Sequence, residues 1–172
     1  MSTTNDNITF QGNKLKVRGE PVRKGELLPR FRVVGVDMKD ITNETYQGKP
    51  LLLSIVPSID TPVCAIQTRK FNEEATKLSP EVTVLTVSRD LPFAQKRWCA
   101  AEGISRVVTA SDYKYHTFGE AFGSLIEDLG LLARVVIVAD KTGRIQHVEY
   151  VNEISQEPDY EAALTVLRAN SL

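Results

Sequence analysis

The 172-residue sequence predicts an α/β fold, and three observations carry that expectation. Leu51–Val56 is a continuous apolar run closed by Pro50 and Pro57, too short for a helix and suited to a strand buried on both faces. Val82–Val87 is a second buried strand, after an intervening stretch of helical spacing. Ala133–Val138 and Arg144–Tyr150 then flank Asp140-Lys141-Thr142-Gly143, a polar turn with a glycine for positive φ, which predicts an antiparallel hairpin.

The other elements follow in chain order. Ile8-Thr9-Phe10 and Leu15-Lys16-Val17 alternate around Gly12-Asn13, so a hairpin is expected between Asn7 and Gly19. Arg32–Val36 is a further strand. From Pro62 to Leu78 the residues Cys64, Phe71, Ala75 and Leu78 share one helical face, and Ser79-Pro80 stops the helix. Pro92–Ala101 reads as a second helix ended by Gly103, Arg106–Ala110 as a short strand, Tyr115–Phe122 as a short helix and Pro158–Ala169 as a closing helix. Strand, helix, strand, then a hairpin and a closing helix is the thioredoxin-like order, with right-handed parallel crossovers and the N-terminal hairpin added in front. No linker, repeat or low-complexity tract divides residues 1–172, so one domain is expected.

Composition excludes several classes. Lys+Arg 21 against Asp+Glu 22 leaves a net charge of −1, without the basic footprint of a nucleic-acid binder or a polybasic membrane anchor. Met1–Asn7 lacks the basic and apolar regions of a secretory leader, and no apolar run approaches the length of a membrane span, so a cytoplasmic protein is expected. Cys64 and Cys99 are too few for a disulfide framework. With only His116 and His147 besides, far from the cysteines in sequence, a structural zinc site is not expected.

The informative segment is Val56-Pro57-Ser58-Ile59-Asp60-Thr61-Pro62-Val63-Cys64. Asp60 or Thr61 can cap the following helix and Pro62 suits its first position, which sets Cys64 in the first turn at the carboxyl end of a parallel strand. The helix dipole and free backbone N–H groups there favour the nucleophilic thiolate over the thiol. A small buried hydrophobe is the other reading of such a cysteine. Cys64-Ala65-Ile66-Gln67 lacks the second thiol of a Cys-x-x-Cys site, which disfavours disulfide-reductase chemistry.

Pro57, Thr61 and Cys64 form Pro-x-x-x-Thr-x-x-Cys, which resembles the signature of the peroxiredoxins. Together with Asp90-Leu91-Pro92-Phe93-Ala94, Arg97-Trp98-Cys99, Leu131-Leu132-Ala133-Arg134 and Glu157–Leu164, it resembles the bacterial thiol peroxidases, an atypical two-cysteine subgroup. The resemblance implies Cys64 as peroxidatic cysteine, Cys99 as resolving cysteine, Thr61 as the hydroxyl that bonds the peroxide and Arg134 as the guanidinium supporting thiolate and transition state. Pro57 and Pro62 would stiffen the loop and shield the sulfur. It further implies a hydroperoxide substrate, organic or hydrogen peroxide, a Cys64–Cys99 intramolecular disulfide, thioredoxin as reductant, a homodimer, and no metal or organic cofactor.

Each residue also has a plainer reading. Thr61 is a helix cap, Arg134 an exposed charge at a strand end, Cys99 a filler of a helix face, and Asp60 a cap. Phe93, Trp98, Tyr113, Tyr115, Phe118 and Phe122 are core candidates, while Tyr113, Tyr115 and Phe118 also offer an aromatic patch for a dimer contact. Two other functions fit the same cysteines: a redox sensor whose disulfide switches a partner-binding surface, and a binding module with inert thiols.

Overall fold

The computed structural model describes residues 4–171; Met1–Thr3, the start of the segment read for a leader, lie outside it. The chain opens with β1 (Thr9–Phe10) and β2 (Asn13–Lys14), then β3 (Val17–Arg18), β4 (Arg32–Gly35), β5 (Asp40–Thr42), a 3₁₀ turn (Asn43–Tyr46) and β6 (Leu51–Ile55). Helix α1 (Pro62–Thr76), β7 (Thr83–Ser88), α2 (Pro92–Glu102), β8 (Val107–Ser111) and α3 (Phe118–Ala121) follow. The chain closes with β9 (Leu125–Ile126), β10 (Leu131–Leu132), β11 (Val135–Ala139), β12 (Ile145–Tyr150) and α4 (Tyr160–Ala169).

Seven strands form the main sheet in the order β12-β11-β6-β7-β8-β4-β5. The pairs β6–β7 and β7–β8 are parallel, and β11 runs antiparallel to both β6 and β12. All five residues of β6 and all five of β11 are buried, because helices cover one face and the N-terminal segment and α3 the other. Strand alternation divides the apolar side chains. Leu52, Val84, Val136 and Val138 meet Phe71 and Ala75 of α1 and Tyr160, Ala163, Leu164 and Leu167 of α4. Leu53, Ile55, Leu85, Val87 and Ile137 meet Ile8, Val22, Phe31, Phe118 and Phe122 on the opposite face. Full burial of one such side chain contributes about 1.5–3 kcal/mol, and truncating Phe71 to alanine costs about 3–5 kcal/mol.

Several expected boundaries shift for local reasons. The first hairpin turns on Gln11 and Gly12, both at positive φ (51° and 80°), one residue earlier than Gly12-Asn13. Such a turn needs positive φ at both central residues, so Phe10 pairs with Asn13 and Thr9 with Lys14. Leu15-Lys16-Val17 is therefore not the second arm; Val17 and Arg18 instead pair with Ile126 and Leu125. The short helix begins only at Phe118, after His116 at φ 58°, and buried Asp112 accepts the Phe118 and Gly119 amides that open it. Phe118 and Phe122 are core, but Phe93 is 70% exposed and Trp98, Tyr113 and Tyr115 are half-buried. Burial of Phe118 also removes it from the aromatic patch expected for a dimer contact.

Candidate active site

Thr61 is the N-cap of α1, Pro62 occupies its first turn, and Cys64 follows within that turn, directly beyond the end of β6. The Thr61 hydroxyl does not cap the helix; it donates to the Ser58 carbonyl at 2.9 Å, leaving its lone pairs for another donor. Asp60 is exposed and is not the cap residue. Pro57 is buried but Pro62 is exposed, so shielding of the sulfur falls to Val56, Ile59 and the partly buried Trp98, which pack with Cys64. Cys64 is fully buried.

Arg134 is 2% exposed, which rules out the strand-end surface charge. It precedes β11, whose partner β6 leads into the Cys64 loop, so the sheet itself brings the guanidinium to α1. Its Nη2 donates to Cys64 Sγ at 3.3 Å and to the Ile154 carbonyl at 2.6 Å. Nε donates to the same carbonyl at 2.9 Å, and Nη1 to Gln67 Oε1 at 2.9 Å. Gln67, fully buried, passes its own amide hydrogen to Ser54 Oγ at 2.7 Å. A planar fork with five donors suits this arrangement; a lysine ammonium does not. None of the ion pairs among the described residues involves Arg134. Cys64 Sγ is thus held against a buried guanidinium that has no carboxylate partner among the described residues.

Three contributors lie outside the sequence-derived set. Gln67 stands three residues after Cys64 on the same helical face, a spacing that could have pointed to it. Asp90 accepts from Ser58 Oγ (2.7 Å), the Ile59 amide (2.9 Å) and Ser88 Oγ (2.6 Å), tying the Cys64 loop to the entrance of α2. The Ile154 carbonyl belongs to the turn after β12, and no side-chain pattern signals it.

Cys99 sits on α2, half-buried, with Sγ 3.8 Å from Thr109 Oγ1 on β8. Burial pushes its thiol up from the ordinary value, and the Thr109 hydroxyl opposes the shift. Both cysteines are free. Cys99 Sγ rests against Thr109 on β8 and Cys64 Sγ against Arg134 at the start of β11, on strands three steps apart in the sheet. Helix α2 buries only Pro92 and Gln95 and is the loosely held partner.

No cluster of three or more His, Cys, Asp or Glu side chains suited to a metal occurs among the described residues. A cleft of about 450 Å³ lined by Phe31, Tyr46, Lys49, Leu51 and Ala139 lies at the opposite pole, where β6 begins. The thiol chemistry is elsewhere. Its position accords with strand carboxyl ends as the reactive edge of open sheets.

The Redoxin family matches residues 23–164. The chain belongs to the Redoxin family. It is 48% identical over 161 residues to a thiol peroxidase of Oceanobacillus iheyensis, covering 94% of this chain and 98% of the relative. A thiol peroxidase of Listeria monocytogenes is 50% identical over 157 residues, 91% of this chain and 94% of the relative. A peroxiredoxin-like protein from Aquifex aeolicus superposes with a TM-score of 0.88 at 35% identity, over 98% of both chains. The frame of this Redoxin chain is thioredoxin-like, and it is an enzyme of the peroxiredoxin type with thiol-dependent peroxidase activity.

Proposed function

We propose that Cys64 attacks the terminal oxygen of a hydroperoxide, breaking the O–O bond, so that sulfur is oxidised to sulfenic acid and an alcohol or water leaves. The observation that carries the assignment is the buried Arg134 Nη2–H aimed at Cys64 Sγ at 3.3 Å. The Cys64 amide donates to the departing oxygen, which lowers the barrier, while Thr61 Oγ1, its own hydrogen engaged by the Ser58 carbonyl, accepts the O–H of the peroxide. Pro57 and Pro62 stiffen the loop that holds them. Cys99 then condenses with the sulfenic acid, forming an intramolecular Cys64–Cys99 disulfide and releasing water. A dithiol of the thioredoxin class reduces that bond and restores both thiols. No metal or organic cofactor enters this cycle.

The proposal is tested by peroxide consumption with thioredoxin, its reductase and a nicotinamide reductant, comparing the parent with Cys64→Ser and Cys99→Ser. Multiple turnovers by the parent and none by Cys64→Ser support it. Slow, single oxidation of the parent would instead favour a redox sensor, and an unreactive Cys64 a binding module.

We also propose a cytoplasmic homodimer. Leu91 (53% exposed) and Phe93 (70% exposed) at the start of α2 leave apolar surface that a second copy would cover, and two-fold dimers are the commonest soluble oligomers. Light scattering giving a monomer mass at micromolar concentration would overturn the dimer. No helix among the described residues is long and apolar enough to cross a membrane.

A further inference from the structure

Hairpin β1–β2 lies far from Cys64 in sequence, yet a continuous set of short contacts joins it to the thiol. The Thr9 amide donates to the Asn152 carbonyl at 2.6 Å, and the Ile154 amide donates back to the Thr9 carbonyl at 3.0 Å. Between these two bonds sits Glu153. Its Oε1 accepts from Thr9 Oγ1 at 3.1 Å and the Gly12 amide at 3.0 Å, and its Oε2 from the Ser155 amide at 3.1 Å and Ser155 Oγ at 2.6 Å. One carboxylate thus pins the hairpin on one side and the turn on the other. The next residue, Ile154, is the one whose carbonyl takes two N–H groups of Arg134.

We infer that Glu153 is a positioning residue for peroxide reduction: by clamping β1–β2 onto the Asn152–Ser155 turn, it fixes the Ile154 carbonyl that aims the Arg134 guanidinium at Cys64 Sγ. The inference rests on the roles proposed for Cys64 and Arg134. Its physical basis is directional. A guanidinium is planar, so the direction of its Nη2–H toward sulfur is set by whatever holds the Nε and Nη2 edge, and here that is a single carbonyl. The Ile154 side chain is anchored in the core, but its neighbours Asn152, Ser155, Gln156 and Glu157 are exposed, so the polar bonds of Glu153 hold the part of the turn that packing does not. The same four donors keep Glu153 ionised: burial opposes the charge, but Ser155, Gly12 and Thr9 outweigh it and hold the carboxyl down at about 2.

The test measures single-turnover oxidation of Cys64 by a hydroperoxide in a Cys99→Ser background. Glu153→Gln is expected to slow it about fivefold to tenfold, and Ser155→Ala or Thr9→Val, each removing one bond to the Glu153 carboxylate, about twofold to threefold. In an Arg134→Met background, Glu153→Gln is expected to change the rate by less than about twofold, because the group it positions is gone. The Nε–H of Arg134, followed by nuclear magnetic resonance, should exchange with solvent about tenfold faster in Glu153→Gln than in the parent.

A Glu153→Gln effect of equal size with and without Arg134 would reduce Glu153 to a stabiliser of the fold and overturn the inference. So would parent-like oxidation and Nε–H exchange. Should Glu153→Gln not fold, Ser155→Ala and Thr9→Val decide by the same comparison. Parent-like oxidation of Arg134→Met would remove the role of Arg134 itself, whereas a slow Arg134→Met beside an unaffected Glu153→Gln defeats only the positioning role.

Discussion

The Nη2 of Arg134 lies 3.3 Å from the Sγ of Cys64, while its other bonds are to the Ile154 carbonyl and Gln67 Oε1. The contact to sulfur is therefore one arm of a guanidinium held on all three of its nitrogens rather than a chance approach. Replacing Arg134 with methionine keeps apolar volume in the buried site but removes every one of these donors. Stopped-flow oxidation should slow on the order of 10²-fold, the scale of losing one transition-state donor, with far-ultraviolet circular dichroism unchanged. Oxidation at the parent rate would deny the contact any part in the chemistry.

Cys99 should alkylate more slowly in the folded, reduced protein than in the unfolded chain. Burial raises its proton affinity, against the Thr109 hydroxyl, so at neutral pH less of it is the reactive thiolate than in an unfolded chain. Because its folded value lies above the unfolded one, this group contributes stability below the unfolded value and loses it as pH rises through the folded value. Iodoacetamide labelling followed by mass spectrometry should mark Cys99 later in the folded protein than in the unfolded chain, and later still in Thr109→Val. Faster labelling in Thr109→Val would reverse the sign.

Oxidation should unwind α2 in preference to α1. Helix α1 buries Cys64, Ala65, Gln67, Thr68, Phe71 and Ala75, whereas α2 buries Pro92 and Gln95 and keeps Trp98 and Cys99 half-covered. Gln95 Nε2 donates to Ser88 Oγ (3.0 Å) and the Ala110 carbonyl (2.8 Å), so a single side chain supplies much of the polar anchorage. Amide hydrogen exchange of the disulfide form should show lost protection over Pro92–Ala101. Equal protection in both redox states would exclude the unwinding.

Acid should loosen the clamp on the N-terminal hairpin. Glu153 is held down at about 2, below the roughly 4.3 of a free glutamate, so its contribution to stability is complete above the unfolded value. It is lost as pH falls from there through about 2. Chemical denaturation should find the parent more stable than Glu153→Gln at neutral pH, with the gap closing in that acid window. A gap independent of pH would show that the carboxylate charge is not what binds the hairpin.

The reactive half of the site is legible in sequence because it is local. Pro57, Thr61, Pro62 and Cys64 lie on one strand-to-helix connection, and a proline in the first helical turn places the thiol without knowledge of the rest of the chain. Arg134 is nameable only through family resemblance, since a charge beside an apolar strand reads equally well as solvent-facing. Its burial depends on Gln67 and on a backbone carbonyl twenty residues further on. The same limit governs the fold. Strands β6, β7 and β11 carry largely apolar runs and β12 is announced by the polar Gly-containing turn before it, whereas two-residue strands such as β9 and β10 have no periodicity to read. Gln11 shifts the hairpin because a non-glycine residue adopts positive φ there, which composition does not announce.

Trp98, the sole tryptophan of the chain, packs on the Val56–Ile59–Cys64 cluster and is covalently next to Cys99. The protein therefore carries a built-in optical probe at the seam between its two thiols. Its indole leaves an apolar contact if α2 unwinds, so emission should change twice per cycle, once as the disulfide closes and again as the reductant opens it. Each half of the redox cycle can then be timed in unlabelled protein, with the Cys99→Ser variant giving the trace for a chain that never closes.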